Sequence, residues 1–471
     1  MTRTDSSLAT LAEWVGSVDL ESIPAEALTA ARLVVLDTIG VALGGSEAEE
    51  VQRLAGDLGS GTGPATIIGT DRRAPAAVAA LVNGTSSTWL DFDSGHVHPP
   101  GTPLLPAGHM PVHVLPAALA TAERVGSSGR DLLAAFVTGY DVAARVGVSS
   151  RLRIDIHPHG TYPSVGAAAA VARLRGLDPD GIAAAMAIAL GLTIVPSFEN
   201  GYQGKSVRNA YAGHGARIGV LATDLVLAGV VPERDPIGTV FGSIVSPTHD
   251  PELLLEDLGT RWECTRGYLK PFPSVRYGHP AIEAAESLRD AVDAGRIDRV
   301  LVETYDLPAT LDERRPTSEL GAKFSLPWAV ASMLVRGRAG PDEFRTLDDE
   351  AVRAVAAVVD VVEDPAMTAR TPGDRPARVT VVAGDEEATD EVDRSAGGPD
   401  APMGPDAVTT KFRSLADRVI GAEAAGTVAE QVLGLESVDD VRRLARLLAS
   451  PESGARGLQG RDLGDGDDVV G

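Results

Sequence analysis

The chain has 471 residues, 44% hydrophobic and 23% charged, an ordinary globular composition for two or three domains. A net charge of −24 with no basic stripe argues against a nucleic-acid partner and against binding to an anionic membrane surface. The one cysteine, Cys264, excludes an internal disulfide and a thiolate-held iron–sulfur cluster. Apolar runs are interrupted by charge or glycine before 18 residues, so no transmembrane helix is expected. The acidic, amphipathic start, MTRTDSSLATLAEWVG, does not resemble a signal peptide, and a cytoplasmic location is expected.

In chain order, the first 230 residues read as successive helices. EALTAARLVVLDTIGVALGG closes on Gly44-Gly45, a C-cap signal. A short apolar piece at residues 65–69, ATIIG, reads as a turn or small strand. VHVLPAALATAERVG, GRDLLAAFVTGYDVAARVG, GAAAAVARLRGL, DGIAAAMAIALGL and GHGARIGVLATDLVLAG follow, rich in Ala and Gly and suited to close packing. After residue 265 the pattern changes. HPAIEAAESLRDAVDAG is helical, IDRVLVETYDL a strand, and KFSLPWAVASMLVRG a helix. DDEAVRAVAAVVDVVED runs from helix into strand, and the strand ARVTVVAG is followed by an acidic turn, DEEATDEVD. Helices resume at 405–421 and 436–449. The expected fold is mainly α with an α+β part: helical domain 1–264, α+β lid 265–400, returning helices 401–450 and a disordered tail 451–471.

Seven of the nine histidines lie in three short regions: His96, His98, His109 and His113; His157 and His159; and His279. In LDFDSGHVHPPGTPLLPAGHMPVHVLP, His109 precedes a helix, suited to taking a proton, and Asp91 could orient it. As alternatives, both are caps or loop hydrogen-bonders. In DIHPHGTYPSVG, Gly160 and the small residues after it would let backbone N–H groups reach an anion. The pairs His96/His98 and His157/His159, with Asp93 and Asp155 nearby, invite a metal reading, but neither has a recognised metal-motif spacing, and no metal is expected. Lys205 and Arg208 share a helix face; a solvated basic face is the other reading. Lys270, Arg276, Tyr277 and His279 sit on the Pro-rich segment YLKPFPSVRYGHP, where His279 could equally cap a helix. Lys323 opens another helix, near Trp328. Only four of the 42 basic residues are lysines, Lys205, Lys270, Lys323 and Lys411, and such a chain keeps lysine where a compact ammonium is needed. Histidine and aspartate for proton transfer, with lysine and arginine for carboxylates, suit a small polycarboxylic acid.

Five motifs in order, LDTIGVALGG, LDFD…GH…VLPAALA, HPHGTYPSVGAAAA, GKSVRNAYAGHGA and KPFPSVRYGHPAIEA, resemble the MmgE/PrpD family over roughly residues 8–440. The resemblance implies a helical domain made from both chain ends with an inserted α+β lid, a homodimer, and no metal or cofactor. It implies catalytic roles for Asp91, His109, His157, Lys205 and His279. Arg208, Lys270, Arg276, Tyr277, Lys323 and Trp328 would bind substrate. Gly95 and Trp328 replace the threonine and tyrosine of the family's cis-aconitate decarboxylases. The implied activity is a cofactor-independent lyase, most simply a dehydratase of the 2-methylcitrate dehydratase type, with His109 or His157 as base. The alternatives are an epimerase of the iminodisuccinate epimerase type, a cis-aconitate type decarboxylase, or a non-catalytic binding paralogue.

Overall fold

The computed structural model describes residues 6–59, 61–96, 108–153 and 155–450. His98, the whole PPGTPLLP loop and the tail 451–471 lie outside the described residues. Among the described residues up to 227, ten α-helices follow one another: α1 (Ser6–Ser17), α2 (Ala25–Ser46), α3 (Glu49–Leu58), α4 (Ala76–Trp89), α5 (Pro111–Val125), α6 (Gly129–Ser149), α7 (Pro163–Leu174), α8 (Pro179–Gly191), α9 (Glu199–Tyr202) and α10 (Val207–Leu227). Three two-stranded ladders tie their loops together: β1 (Ala65–Thr66) with β2 (Arg73–Ala74), β3 (Gly95–His96) with β6 (Gly267–Tyr268), and β4 (Ser150–Arg151) with β5 (Thr248–His249).

Glycine sets how closely these helices approach. Gly44 and Gly45, read from sequence as a C-cap, lie inside α2, which runs on to Ser46 and ends on Glu47 in ordinary helical geometry. A Cβ on Gly45 would stand 1.9 Å from the Ser86 carbonyl of α4, so the glycine serves helix–helix contact. Gly84 and Gly213 play the same part between α4 and α10, where a Cβ on Gly213 would meet the Leu81 carbonyl at 2.1 Å. By length and composition α2 and α6 could cross a membrane, unlike the reading of the apolar runs. Both instead lie within the core, 72% and 100% buried over the apolar window. In α6 the Asp141–Arg145 pair is itself fully buried, with Arg145 also donating to the Glu256 and Arg261 carbonyls.

The α+β part has its own core. Strands β7 (Ile297–Thr304), β8 (Val359–Glu363), β9 (Ala377–Ala383) and β10 (Glu386–Val392) form one sheet in the order β10-β9-β7-β8. The β7–β8 pair is parallel and the others antiparallel. Helices His279–Leu288 and Leu326–Arg336 pack with it around Val300, Val302, Val379, Val381 and Trp328. The expected acidic turn after β9 is strand β10, in register from Glu386 opposite Ala383 to Val392 opposite Ala377. It is a charged edge strand with little burial, which hides the apolar alternation that marks strands. The returning helices are Pro405–Ile420, Ala422–Leu433 and Val441–Leu447, against two expected. Their apolar faces, among them Val408, Phe412, Val428 and Leu444, join the core of the first helical part.

Gly45→Ala is expected to cost at least about 1–3 kcal/mol through overpacking, read as a lower urea midpoint with an unchanged slope.

Candidate active site

The site begins where α4 ends. After Leu90 the chain turns through Asp91, whose φ of +49° lies in the left-handed region that aspartate tolerates better than most residues. Four cationic side chains hold this turn by its carbonyls. Arg208 reaches Thr88 O (3.4 Å), Lys323 donates to Trp89 O (3.0 Å), Lys270 to Asp91 O (2.8 Å) and Lys411 to Phe92 O (2.8 Å). The Asp91 carboxylate accepts from Arg208 (2.7 Å) and pairs with Lys270 (3.1 Å). Lys411 is neutralised by Asp37 at 2.6 Å, inside the LDTIG motif. Burial pushes the Lys411 ammonium down and the Asp37 carboxyl up, and each charge works against the other's shift.

Asp91 therefore does not orient His109, as expected from sequence, because its side chain is engaged by Arg208 and Lys270. Asp93 takes that place. The His109 Nδ1–H donates to Ser94 O at 3.0 Å, with Asp93 Oδ2 2.6 Å away. Two acceptors at Nδ1 fix the proton there and leave Nε2 for chemistry in the cleft. Burial favours a neutral Asp93, but His109, Lys270 and Arg208 outweigh it and hold the carboxyl far below its usual range.

Behind His109 the imidazoles stack. His109 lies on His159 at 4.7 Å between centroids, and His157 lies on His159, also at 4.7 Å. His113 approaches His159 at 5.3 Å. His157 Nδ1 accepts the His159 N–H (3.1 Å), so neutral His157 carries its proton on Nε2. Burial, reinforced by Arg208 and His109, holds its pKa well below the ordinary value. His157 is thus a fixed neutral donor. His113 donates from Nδ1 to His109 O and accepts the Gly160 N–H at Nε2 (3.0 Å). That Gly160 amide, expected to meet an anion, is already used. Burial lowers His113 to about 3.

The cleft lies between the helical and α+β parts, about 1040 Å³ with its open mouth included. Asp91, His109, His157 and Arg208 line one side; Lys270, Arg276, Tyr277, Phe324 and Arg375 line the other. Four expected site residues are placed elsewhere. Lys205 is exposed, one residue before Ser206 at the start of α10, and does not line the cleft. Lys323 is buried, committed to Trp89 O and Glu319. Trp328 is in the α+β core with Nε1 donating to Glu343 O. His279 is fully buried behind the wall, donating from Nε2 to Ser274 O and accepting from Arg276 at Nδ1 (3.1 Å). It positions Arg276 rather than touching the cleft. Burial brings the Arg276 guanidinium down to about 10, with Tyr268 opposing.

Among the lining residues not singled out from sequence are Arg375, Phe198 and Tyr268. Arg375 comes from the segment before β9. Phe198 packs on His157 at 4.6 Å. Tyr268 stands in β6 opposite Gly95 of β3, and a Cβ on Gly95 would lie 2.5 Å from its hydroxyl. The missing side chain at Gly95 is thus filled by a phenol, 6.1 Å from His109 between ring centroids and 5.1 Å beneath the Arg276 guanidinium. The signal was available only as the tyrosine opening YLKPFPSV; its partner is 173 residues away.

Of the H-x-H pairs, His98 lies outside the described residues, and His157 spends Nδ1 on the His159 backbone N–H. His96 is buried against Glu263 (2.8 Å); burial raises Glu263, yet His96, Arg261 and Arg266 bring it to about 2. A different trio, Asp93, His109 and His159, offers ligand atoms all within 4.8 Å of one another.

Comparison with known proteins matches the MmgE/PrpD N-terminal domain to residues 9–250 and the MmgE/PrpD C-terminal domain to residues 272–436. The cis-aconitate decarboxylase-like protein oryM of Aspergillus oryzae (strain ATCC 42149 / RIB 40) is 30% identical over 95% of this chain and 99% of its own. The cis-aconitate decarboxylase of Aspergillus terreus is 23% identical over 94% and 95%, and that of Homo sapiens 25% over 89% and 89%.

Lys270→Met is expected to cost about 1–3 kcal/mol, because it leaves the buried Asp91 carbonyl unpaired. Exposed Lys205→Ala should change stability by less than about 0.5 kcal/mol. Parallel urea titrations of the two variants check the contrast.

Proposed function

This chain belongs to the MmgE/PrpD family, and from that premise we propose that it is a lyase acting on a small polycarboxylic acid, with His109 moving the proton on a carbon next to a carboxylate. One observation carries the reading. His109 is pinned at Nδ1 between Ser94 O and Asp93, and it faces a cleft lined by six cations, Arg151, Arg153, Arg208, Lys270, Arg276 and Arg375, against one lining carboxylate, Asp91. Among the described residues neither Arg276 nor Arg375 pairs with a carboxylate, although Arg276 donates to His279 Nδ1 and Ser395 O; both guanidiniums line the cleft with their charge uncompensated. Such donors stabilise the enediolate-like charge that forms beside a carboxylate.

Carboxy-lyase chemistry is placed ahead of the dehydration favoured from sequence, because the similar proteins are named cis-aconitate decarboxylases or decarboxylase-like. In that reaction a C–C bond to a carboxylate breaks and CO₂ leaves. The electron pair forms a new C=C, the old double bond shifts its pair to the carbon next to another carboxylate, and protonated His109 delivers the proton there. Asp93 offsets the charge that the ring carries before transfer. Dehydration keeps a place through Tyr268, whose hydroxyl beside Gly95 could protonate a departing hydroxyl. A two-base epimerisation is disfavoured. His157, the natural second base, has Nδ1 engaged, and burial opposes its gaining a charge.

The test is incubation with cis-aconitate, 2-methylcitrate and related tricarboxylates in deuterated water, followed by NMR and CO₂ trapping. We expect CO₂ release with one deuteron placed on carbon. Loss of water without CO₂ would move the assignment to a dehydratase, and label exchange without net cleavage would refute the lyase reading. Asp93→Asn should lower kcat by roughly 10²–10⁴-fold, the usual worth of a positioned acid–base group. Dialysis against a chelator should leave turnover unchanged, because the Nδ1 of His109 that faces Asp93 carries a proton. Loss restored by one divalent cation would instead assign Asp93, His109 and His159 as its ligands.

A further inference from the structure

The lining of the cleft carries more apolar surface than a six-carbon tricarboxylate requires. Lys270 and Arg276 line it together with His109, and Arg151 and Arg153 flank Leu152 beside β4. The lining also carries a set of apolar side chains: Leu152 and Ile156 beside β4, Phe198 and Tyr202 at α9, and Leu307 and Phe324 from the α+β part. The rings form a continuous ladder leading out from the histidine stack. Phe198 lies 4.6 Å from His157, Tyr202 stacks on Phe198 at 5.4 Å, and Phe324 meets Tyr202 edge-on at 6.0 Å. This wall is not closed core. Tyr202 is 37% exposed, and Leu152, Phe198 and Leu307 are half-buried. Partly exposed apolar side chains continuous with a cationic pocket are the arrangement that receives an amphiphilic ligand.

We propose that the substrate is a polycarboxylate carrying an alkyl arm of several carbons, its carboxylates held by Lys270, Arg276 and Arg375 and its arm lying along the Phe198–Tyr202–Phe324 ladder. The inference rests on the polycarboxylate reading above and adds the arm to it. The arm runs from the reacting end toward the boundary between the two parts of the protein, so Leu307 and Phe324 cover it from the α+β side. A bare tricarboxylate would leave this wall wet and gain nothing from it.

Isothermal titration calorimetry of the intact protein with succinate and with methyl-, propyl-, pentyl- and heptylsuccinate tests this directly, with cis-aconitate as the arm-free tricarboxylate. Affinity should rise about fourfold per added methylene until the ladder is covered, as burial of each CH₂ predicts. Tyr202→Ser should flatten that dependence. Binding of succinate or cis-aconitate with no gain, or a loss, along the alkyl series would overturn the arm while leaving the polycarboxylate reading intact. If none of the acids binds, both fail together. A chain-length gain that survives in both Tyr202→Ser and Phe198→Ser would show that the arm lies elsewhere, and would overturn the placement.

Discussion

Everything at the site hangs on the carbonyl oxygens of residues 88–92. A helix C-terminus leaves carbonyls without internal partners and gathers partial negative charge. Here that end is buried, and the chain then enters the left-handed region at Asp91. Water does not satisfy these groups; Arg208, Lys323, Lys270 and Lys411 do. Each comes from a different part of the chain: α10, the α+β part, the segment joining the two parts, and the returning helices. The turn is thus the point at which the architecture is cross-braced, and the chemistry stands on it, since Asp93 and Ser94 follow directly and fix His109.

The same economy of charge explains the histidine stack. Four imidazoles sit within one buried layer, and a second positive charge there would be repelled and poorly solvated. Burial and neighbouring cations hold His113, His157 and His159 neutral, and His109 stands nearest a carboxylate, 2.6 Å from Asp93 against 4.0 Å for His159. One mobile proton is therefore placed among groups that do not compete for it. His279 follows the same rule across the cleft, where its neutral Nδ1 accepts from Arg276 and aims that guanidinium.

What could be read from the chain beforehand divides along physical lines. Helices with a strong apolar period, such as α5 and α6, were legible, as was β9 with its strict alternation of buried and half-buried positions. Strand β10 was not, because an edge strand carries Glu and Asp in place of the apolar pattern. Lysine scarcity pointed to real constraint: Lys270, Lys323 and Lys411 are buried and bound to backbone, though as braces as much as ligands. Lys205 and Trp328 were misplaced because spacing alone does not tell a cleft wall from a surface or a core. The partnership of Asp93 rather than Asp91 with His109, and of Tyr268 with Gly95, depends on a turn and a ladder joining distant segments, which local pattern does not encode.

The Asp37–Lys411 pair, 2.6 Å apart, joins the second helix of the chain to one of its last three described helices. A polypeptide emerging from the ribosome exposes Asp37 and the residue 88–92 turn long before Lys411 exists to meet them. The helical part therefore remains open through synthesis of the whole α+β unit, with a buried aspartate lacking its counter-charge and a helix end lacking one of its braces. Long-range closure of this kind is slow to form, and it leaves the brace on the Phe92 carbonyl among the last contacts the chain can make. A chain that stops short of its returning helices lacks Lys411, and with it the partner of Asp37 and the donor to the Phe92 carbonyl.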